Sequence, residues 1–155
     1  MITAEHGAHH QQTVTTTLAE PSPTPEQAAC TLPVTRAAAP ALRHFATTTA
    51  RGWNLCEELH DALALVVTEL VTNVILHSGS ADVSLRMRCV PARRALHVEV
   101  EDAGHWRPHA VPAPDADQRY AERGRGLALV EACATTTSVR LTPAGTTVRA
   151  ELPLG

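Results

Sequence analysis

The chain contains no lysine and few aromatic residues. All thirteen basic residues among its 155 are arginine, aromatic residues make up 3% of the chain, and the formal net charge at pH 7 is −3. Proteins that bind nucleic acids usually present a basic surface to the phosphates and aromatic rings to the bases. The composition therefore argues against a nucleic-acid surface.

Long apolar runs and targeting signals are also missing. No apolar run approaches the roughly 20 residues that cross a bilayer. The first twelve residues carry three histidines and no arginine, and they resemble neither a secretory signal nor a transit peptide. We therefore expect a cytoplasmic protein without a membrane contact, in which residues 1–12 form a disordered polar tail.

Cysteine is present, but its spacing does not favour a metal or redox site. Cys30, Cys56, Cys89 and Cys133 are far apart and form no C-x-x-C pair, which is the spacing typical of zinc and redox sites. We therefore expect four reduced thiols.

Residues 13–155 are long enough for one domain, because a globule of this size buries roughly 70% of the surface of its unfolded chain. The β-branched run Thr13–Leu18 predicts an edge strand. The segment Pro21–Gln27, with three prolines, is expected to be irregular.

Two segments with helical periodicity follow. Val34–Arg51 is rich in alanine and is expected to end at Gly52, and Pro40 is expected to bend or interrupt its start. Glu57–His77 is the stronger prediction, because its apolar residues repeat at i, i+3 and i+4 along one stripe. The residues of this stripe are Leu63, Val66, Val67, Leu70, Val74 and Ile75.

The rest of the chain predicts two hairpins separated by a long loop and a helix. The predicted strands are Asp82–Val90, Ala95–Glu101, Ser138–Leu141 and Thr146–Leu152, with turns at Pro91–Arg94 and Thr142–Gly145. Residues 103–123 show no sustained period, and a loop of about 20 residues suggests a lid. A helix is predicted from Gly126 to about Ala134. This order predicts an α+β sandwich with the helices on one face of a mostly antiparallel sheet.

Three polar residues of the predicted main helix lie on one stripe. Glu69, Asn73 and His77 are spaced at i, i+4 and i+8. Each of them alone would most often face solvent, but three in line on an apolar helix favour a site. A carboxylate one turn from an amide oxygen is suited to a general base beside a divalent cation.

Two further segments carry features of a ligand site. Asp102 ends a predicted strand and is followed by Ala103 and Gly104. A carboxylate accepts hydrogen bonds only, so it can select an exocyclic amino group such as that of adenine. The turn Gly124–Leu127 opens a predicted helix, and backbone amides at such a position can bind phosphates. Each feature is weak alone, and their combined order along the chain is much more specific.

Three segments resemble the N, G1 and G2 boxes of the GHKL ATPase superfamily. In chain order they are E-L-V-T-N-V-I-L-H-S, D-A-G-H-W-R-P and G-R-G-L-A-L-V. The nearest subgroup is the small anti-sigma-factor serine kinases of the RsbW and SpoIIAB type, and the resemblance covers roughly residues 13–155. It implies a Bergerat fold with an ATP lid over His105–Arg123. The G1 segment departs from the pattern, since it lacks the second glycine of a D-x-G-x-G box.

The resemblance implies ATP and Mg²⁺ as cofactors and assigns roles to particular positions. Asn73 would bind the Mg²⁺ and Glu69 would be the general base. Asp102 would bind the adenine amino group, Gly104 would pack beside the base, and Thr147 would help to hold it.

The same resemblance implies that the segment Gly124, Arg125, Gly126 and Leu127 cradles the phosphates. Arg119, Arg123 and Arg125 are candidates for neutralising phosphate charge. His77 is expected to support the helix end rather than take part in chemistry.

The function implied by the resemblance is transfer of the ATP γ-phosphoryl group to a serine of an anti-sigma-factor antagonist, by a protein that also binds a sigma factor and forms a homodimer. The alternative is a non-catalytic module in which the nucleotide sets the shape of a protein-binding surface. Glu69 favours the enzyme, because a pure binding module has no chemical need for a base there.

Overall fold

The computed structural model describes residues 26–105 and 119–155, with side chains of the last helix described from Gly126 onward. The elements in chain order are β1 (Gln27–Pro33), α1 (Ala38–Gly52), α2 (Glu57–His77), β2 (Asp82–Val90), a short 3-10 turn (Pro91–Arg93), β3 (Ala95–Asp102), α3 (Arg119–Cys133), β4 (Thr136–Thr142) and β5 (Gly145–Pro153). Over these residues the five strands form one antiparallel sheet in the order β1-β2-β3-β5-β4.

The helices cover one face of this sheet. Side chains alternate along the strands, so that Leu96, Val98 and Val100 of β3 are buried under the helices, together with Val148 and Ala150 of β5. The residues between them on each strand lie on the opposite, open face. The predicted α+β sandwich with an antiparallel sheet is thus confirmed.

Helix α2 is the centre of the core. By length and composition alone it could cross a membrane, but core helices of globular proteins have the same character. Here it packs against α1, α3 and the sheet. Seven of its residues are buried there, namely Leu59, Leu63, Val66, Val67, Leu70, Val71 and Val74. Its apolar composition is therefore that of a core helix.

The strongest periodic segments of the sequence formed the predicted elements. Both α2 and β2 occupy the predicted residues. The turn between β2 and β3 closes through Arg94, which has a left-handed backbone (φ 49°). The last two strands are each slightly longer than predicted, and Thr142–Gly145 joins them as expected. All four cysteines are free thiols.

Helix α1 begins later than the sequence predicted. It starts at Ala38 rather than Val34, whose amide instead donates to the carbonyl oxygen of Ala81 at 2.8 Å. Pro40 then lies in the first turn, where the missing amide hydrogen removes no intrahelical hydrogen bond. The expected bend at Pro40 is therefore unnecessary, and the predicted end at Gly52 is confirmed.

Strand β1 is an element that the sequence did not indicate. Gln27 was expected to be irregular, but it begins this edge strand and pairs with Arg88 of β2. Alanine is a weak strand former, so the run Q-A-A-C-T-L-P lacks a clear signal. Cys30 and Leu32 nevertheless pack against the core. The predicted strand Thr13–Leu18 and the predicted tail over residues 1–12 lie outside the described residues.

Two leucines of α2 provide a test of this core. Leu63 is fully buried, whereas Leu76 is 64% exposed. Because a buried leucine leaves a cavity when it is truncated, Leu63→Ala should lower the free energy of unfolding by about 2–5 kcal/mol. Leu76→Ala should change it by less than about 0.5 kcal/mol. Urea unfolding followed by circular dichroism measures both, and equal losses would contradict the described packing.

Candidate functional site

Asp102 is a buried acid at the end of β3. It lies on the same face of the strand as Val98 and Val100, beneath the helices, and is only 4% exposed. Its Oδ1 accepts a hydrogen bond of 2.8 Å from the backbone amide of Gly104. This bond ties the buried carboxyl group to the backbone of the loop that follows it.

Gly104 lies directly against the C-terminal end of α2. A β-carbon at this position would come within 1.9 Å of the carbonyl oxygen of Ser78. The same oxygen accepts a 3.1 Å hydrogen bond from the amide of His105. Only glycine therefore fits here, and the loop after Asp102 packs on α2.

The first residues of β5 complete the surroundings of Asp102. Gly145 has φ 144°, and a β-carbon there would come within 1.9 Å of the Asp102 carbonyl oxygen. Thr146 is the cross-strand partner of Asp102 and is 1% exposed. Its Oγ1 is buried and has no hydrogen-bond partner among residues 26–105 and 126–155. An unpaired buried hydroxyl is costly, so this atom marks a position where a polar group of a ligand or a water molecule fits.

The structure places Thr147, the threonine singled out in the sequence, away from Asp102. Thr147 lies on the open face of the sheet opposite Glu101, whereas Thr146 shares the helix-facing side with Asp102. Successive side chains of a strand point to opposite faces, so only one of the two can reach the acid. The alternation of the strand indicates this from sequence alone, because Thr146, Val148 and Ala150 are spaced two residues apart and so share one face.

Glu69, Asn73 and His77 form the half-buried polar stripe on α2 that the sequence predicted. Residues of an α-helix rise about 1.5 Å each along its axis. From His77, the last residue of α2, Asn73 therefore lies about 6 Å and Glu69 about 12 Å back along the helix axis. Both residues thus belong to the helix whose C-terminal end contacts the loop after Asp102.

Helix α3 meets this stripe at Gly126. A β-carbon there would lie 2.5 Å from Oε2 of Glu69. Leu127 is half-buried, and Val130, one turn further along α3, is fully buried in the core. The absence of a side chain at Gly126 therefore allows α3 to pack closely on the Glu69 carboxylate.

The predicted helix start at Gly126 is wrong. α3 begins at Arg119, so Gly124 and Gly126 lie inside it rather than in a turn that opens it. The residues Y-A-E-R before Gly124 include good helix formers, and each of the two glycines costs only about 1 kcal/mol in a helix. The helix therefore begins before the two glycines and continues through them. Residues 106–118 of the predicted lid and the side chains of Arg119, Arg123 and Arg125 lie outside the described residues.

A separate groove of about 770 Å³ lies on the open face of the sheet. Charged residues of this face pair across the strands: Arg86 Nη1 is 3.3 Å from Oε1 of Glu99 and 3.0 Å from Oε2 of Glu101, and Arg149 also pairs with Glu99. Exposed pairs of this kind contribute about 0–1 kcal/mol each. The groove is a solvated, charge-paired face, and the chemistry-bearing residues lie on the other side of the sheet.

Comparisons with known proteins identify the family of this fold. Residues 32–152 match the family model of the histidine kinase-like ATPase domain. No curated protein matches the chain. The crystal structure of the RsbU and RsbW domains of a Mycobacterium tuberculosis protein is similar, with a TM-score of 0.62 and 17% identity over 83% of this chain and 32% of that one.

A blue-light activated histidine kinase of Erythrobacter litoralis matches with a TM-score of 0.48 and 27% identity, over 64% of this chain and 32% of that one. The chain thus spans about a third of the length of each of these solved structures. The first similarity shows the fold alone. The family model, in contrast, covers most of the chain, from residue 32 to residue 152, and so the chain belongs to the family of histidine kinase-like ATPase domains.

Proposed function

We propose that this protein is a regulatory, ATP-dependent serine protein kinase of the anti-sigma-factor type. The observation that carries the proposal is the position of buried Asp102 directly across from Thr146 on the helix-facing side of the sheet, where the buried Thr146 hydroxyl has no partner among the described residues. In a family of ATPase domains, such a polar pair among apolar residues supports a place for the edge of a purine base.

At this end of the site, Asp102 would hold the base. A carboxylate accepts hydrogen bonds, so it favours the amino group of adenine over the carbonyl oxygen that guanine presents at the same position. The Thr146 hydroxyl would bond to the base directly or through water, which would satisfy the buried Oγ1. The backbone of Gly104 would pack beside the ring.

At the other end, residues of α2 and α3 would hold the phosphates. Asn73 offers an amide oxygen of the kind that Mg²⁺ binds. When bound, Mg²⁺ would neutralise charge on the phosphates. A cradle made of the amides of Gly124 and Gly126, with Arg125 and Leu127, requires the start of α3 to unwind as far as Gly126. Glycine at 124 makes this change inexpensive.

Glu69 would act as the general base in the transfer step. Its carboxylate would accept the hydroxyl proton of a serine on the partner protein as the serine oxygen bonds to the γ-phosphorus of ATP. The bond from the γ-phosphorus to the bridging oxygen breaks, and ADP leaves. Positioning and charge neutralisation supply most of the rate in such reactions.

The proposed setting is partner switching in the cytoplasm. The substrate would be a serine of an anti-sigma-factor antagonist, and a sigma factor would be the second protein partner of a homodimeric kinase. The fold that this chain shares with an RsbW-containing structure supports this setting. The competing function is a nucleotide-dependent protein-binding module without transfer, and the close cover of Glu69 by Gly126 is the observation that favours it.

The two threonines that begin β5 provide a matched pair for testing the base site. Thr146→Val removes the unpartnered hydroxyl and keeps its shape, so it should leave the stability of the nucleotide-free protein unchanged or raise it by about 1 kcal/mol. It should also weaken ATP binding about fivefold, since one hydrogen bond is lost. Thr147→Val should leave ATP affinity within about twofold. Calorimetric titration measures the affinities, and equal effects of the two substitutions would refute the role of Thr146.

The role of Glu69 separates the kinase from the binding module. Glu69→Gln keeps the size and polarity of the side chain but removes the base, so phosphoryl transfer should fall by about 10²–10⁴-fold while the Kd for ATP changes little. Transfer is measured from ATP radiolabelled at the γ-position into phosphoserine, with a nucleotide-free extract of the source cells as acceptor. Absence of labelled phosphoserine with the unsubstituted protein, despite ATP binding, would favour the module.

A further inference from the structure

The backbone that follows Asp102 is held by three consecutive hydrogen bonds. The amide of Ala103 donates to Oγ of Ser80 at 3.1 Å, and the amide of Gly104 donates to Asp102 Oδ1 at 2.8 Å. The amide of His105 donates to the carbonyl oxygen of Ser78 at 3.1 Å. Two of these three acceptors belong to the turn that ends α2, so that turn determines where the loop lies.

Ser80 is the only side chain of this turn that bonds directly to the loop within the part of the chain that the structure describes. Its hydroxyl accepts from Ala103 and also donates to the carbonyl oxygen of Asp82 at 2.7 Å. Both capacities of the hydroxyl group are thus used. The paired register of β2 and β3 ends at Val83 and Asp102. Ser80 therefore adds one further link beyond the end of the ladder.

The neighbouring serine stabilises this arrangement. The amide of Ser80 donates to Oγ of Ser78 at 3.0 Å, which shapes the turn around Gly79. The Ser78 carbonyl oxygen is also the atom against which Gly104 packs. The turn Ser78–Ser80 thus contacts the loop on both sides of Gly104, through a backbone atom at one end and the Ser80 hydroxyl at the other.

We propose that Ser80 is a positioning residue for the nucleotide site, whose hydroxyl fixes the loop after Asp102 and so orients the carboxylate toward the base. This inference rests on the proposed ATP-binding function. Without the hydroxyl, the amide of Ala103 turns to water, because Ala103 is exposed. Of the three hydrogen bonds described above, those at Gly104 and His105 then remain, and Asp102 samples orientations that do not bind adenine.

A positioning role and simple support of the turn predict different effects when the Ser80 hydroxyl is removed. Support of the turn affects stability alone. Positioning of Asp102 affects the base end of the site, so the loss of affinity is the same for ADP and ATP, and discrimination against GTP falls with it. The loss of one hydrogen bond corresponds to a decrease in nucleotide affinity of about twofold to tenfold.

The test compares three variants of the full chain by calorimetric titration with ADP, ATP and GTP in the presence of Mg²⁺. Ser80→Ala removes the hydroxyl, and Ser80→Thr retains it. Ser84→Ala is the matched control, since Ser84 lies on β2 and its hydroxyl bonds to that of Thr31 at 2.7 Å on the open face of the sheet. Thermal unfolding of each variant identifies any loss of stability, and titrations are run where all variants are folded.

We expect Ser80→Ala to raise the Kd for ADP and ATP by the same factor, about fivefold, with Ser80→Thr and Ser84→Ala within about twofold of the unsubstituted protein. Faster hydrogen exchange at the Ala103 amide of Ser80→Ala should accompany this change. If the unsubstituted protein binds ATP and Ser80→Ala binds it equally well, the positioning role is wrong and the proposed function stands. If the unsubstituted protein binds no adenine nucleotide, the proposed function fails, and the inference fails with it.

Discussion

Burial of the Asp102 carboxyl group at the end of β3 is the constraint on which the rest of the site depends. A polar group that is 4% exposed requires partners. One of them is the amide of Gly104, which brings the loop so close to α2 that no β-carbon fits at that position. On the other side, β5 approaches the Asp102 carbonyl oxygen so closely that Gly145 is also required. Gly104 thus accompanies the bond to the acid side chain, whereas Gly145 is required by the backbone of the same residue.

Helix α2 connects this acid to the rest of the proposed chemistry. Its buried stripe makes it the core helix, and this packing fixes the orientation of the polar stripe that contains Glu69 and Asn73. Its last turn meets the loop after Asp102, while Glu69 meets α3 at Gly126. A single core helix therefore connects the base end and the phosphate end of the proposed site. Sites carried on such elements hold their geometry better than sites made of loops alone.

The sequence correctly predicted the helices and strands in which the periodic pattern of apolar residues is not interrupted. The apolar stripe of α2 and the alternation of β2 gave their bounds correctly, and the order of elements gave the fold. Tertiary contacts decided the rest: β1 is a strand because its alternate residues pack on the core, despite weak propensity. The start of α3 was placed at a glycine turn, but the helix begins at Arg119. Thr147 was chosen by motif, whereas strand alternation places Thr146 beside Asp102.

Under the proposed function, the buried carboxylate at position 102 selects adenine. Titration of ATP and GTP into the protein and its Asp102→Asn variant measures this selection. The substitution keeps the shape of the side chain but replaces one acceptor with a donor. We expect the unsubstituted protein to bind ATP more tightly than GTP. We expect Asp102→Asn to weaken ATP binding by roughly tenfold or more, because the lost hydrogen bond involves a charged group. Equal affinity of the two proteins for ATP, or no preference of the unsubstituted protein for ATP over GTP, would contradict this selection of adenine.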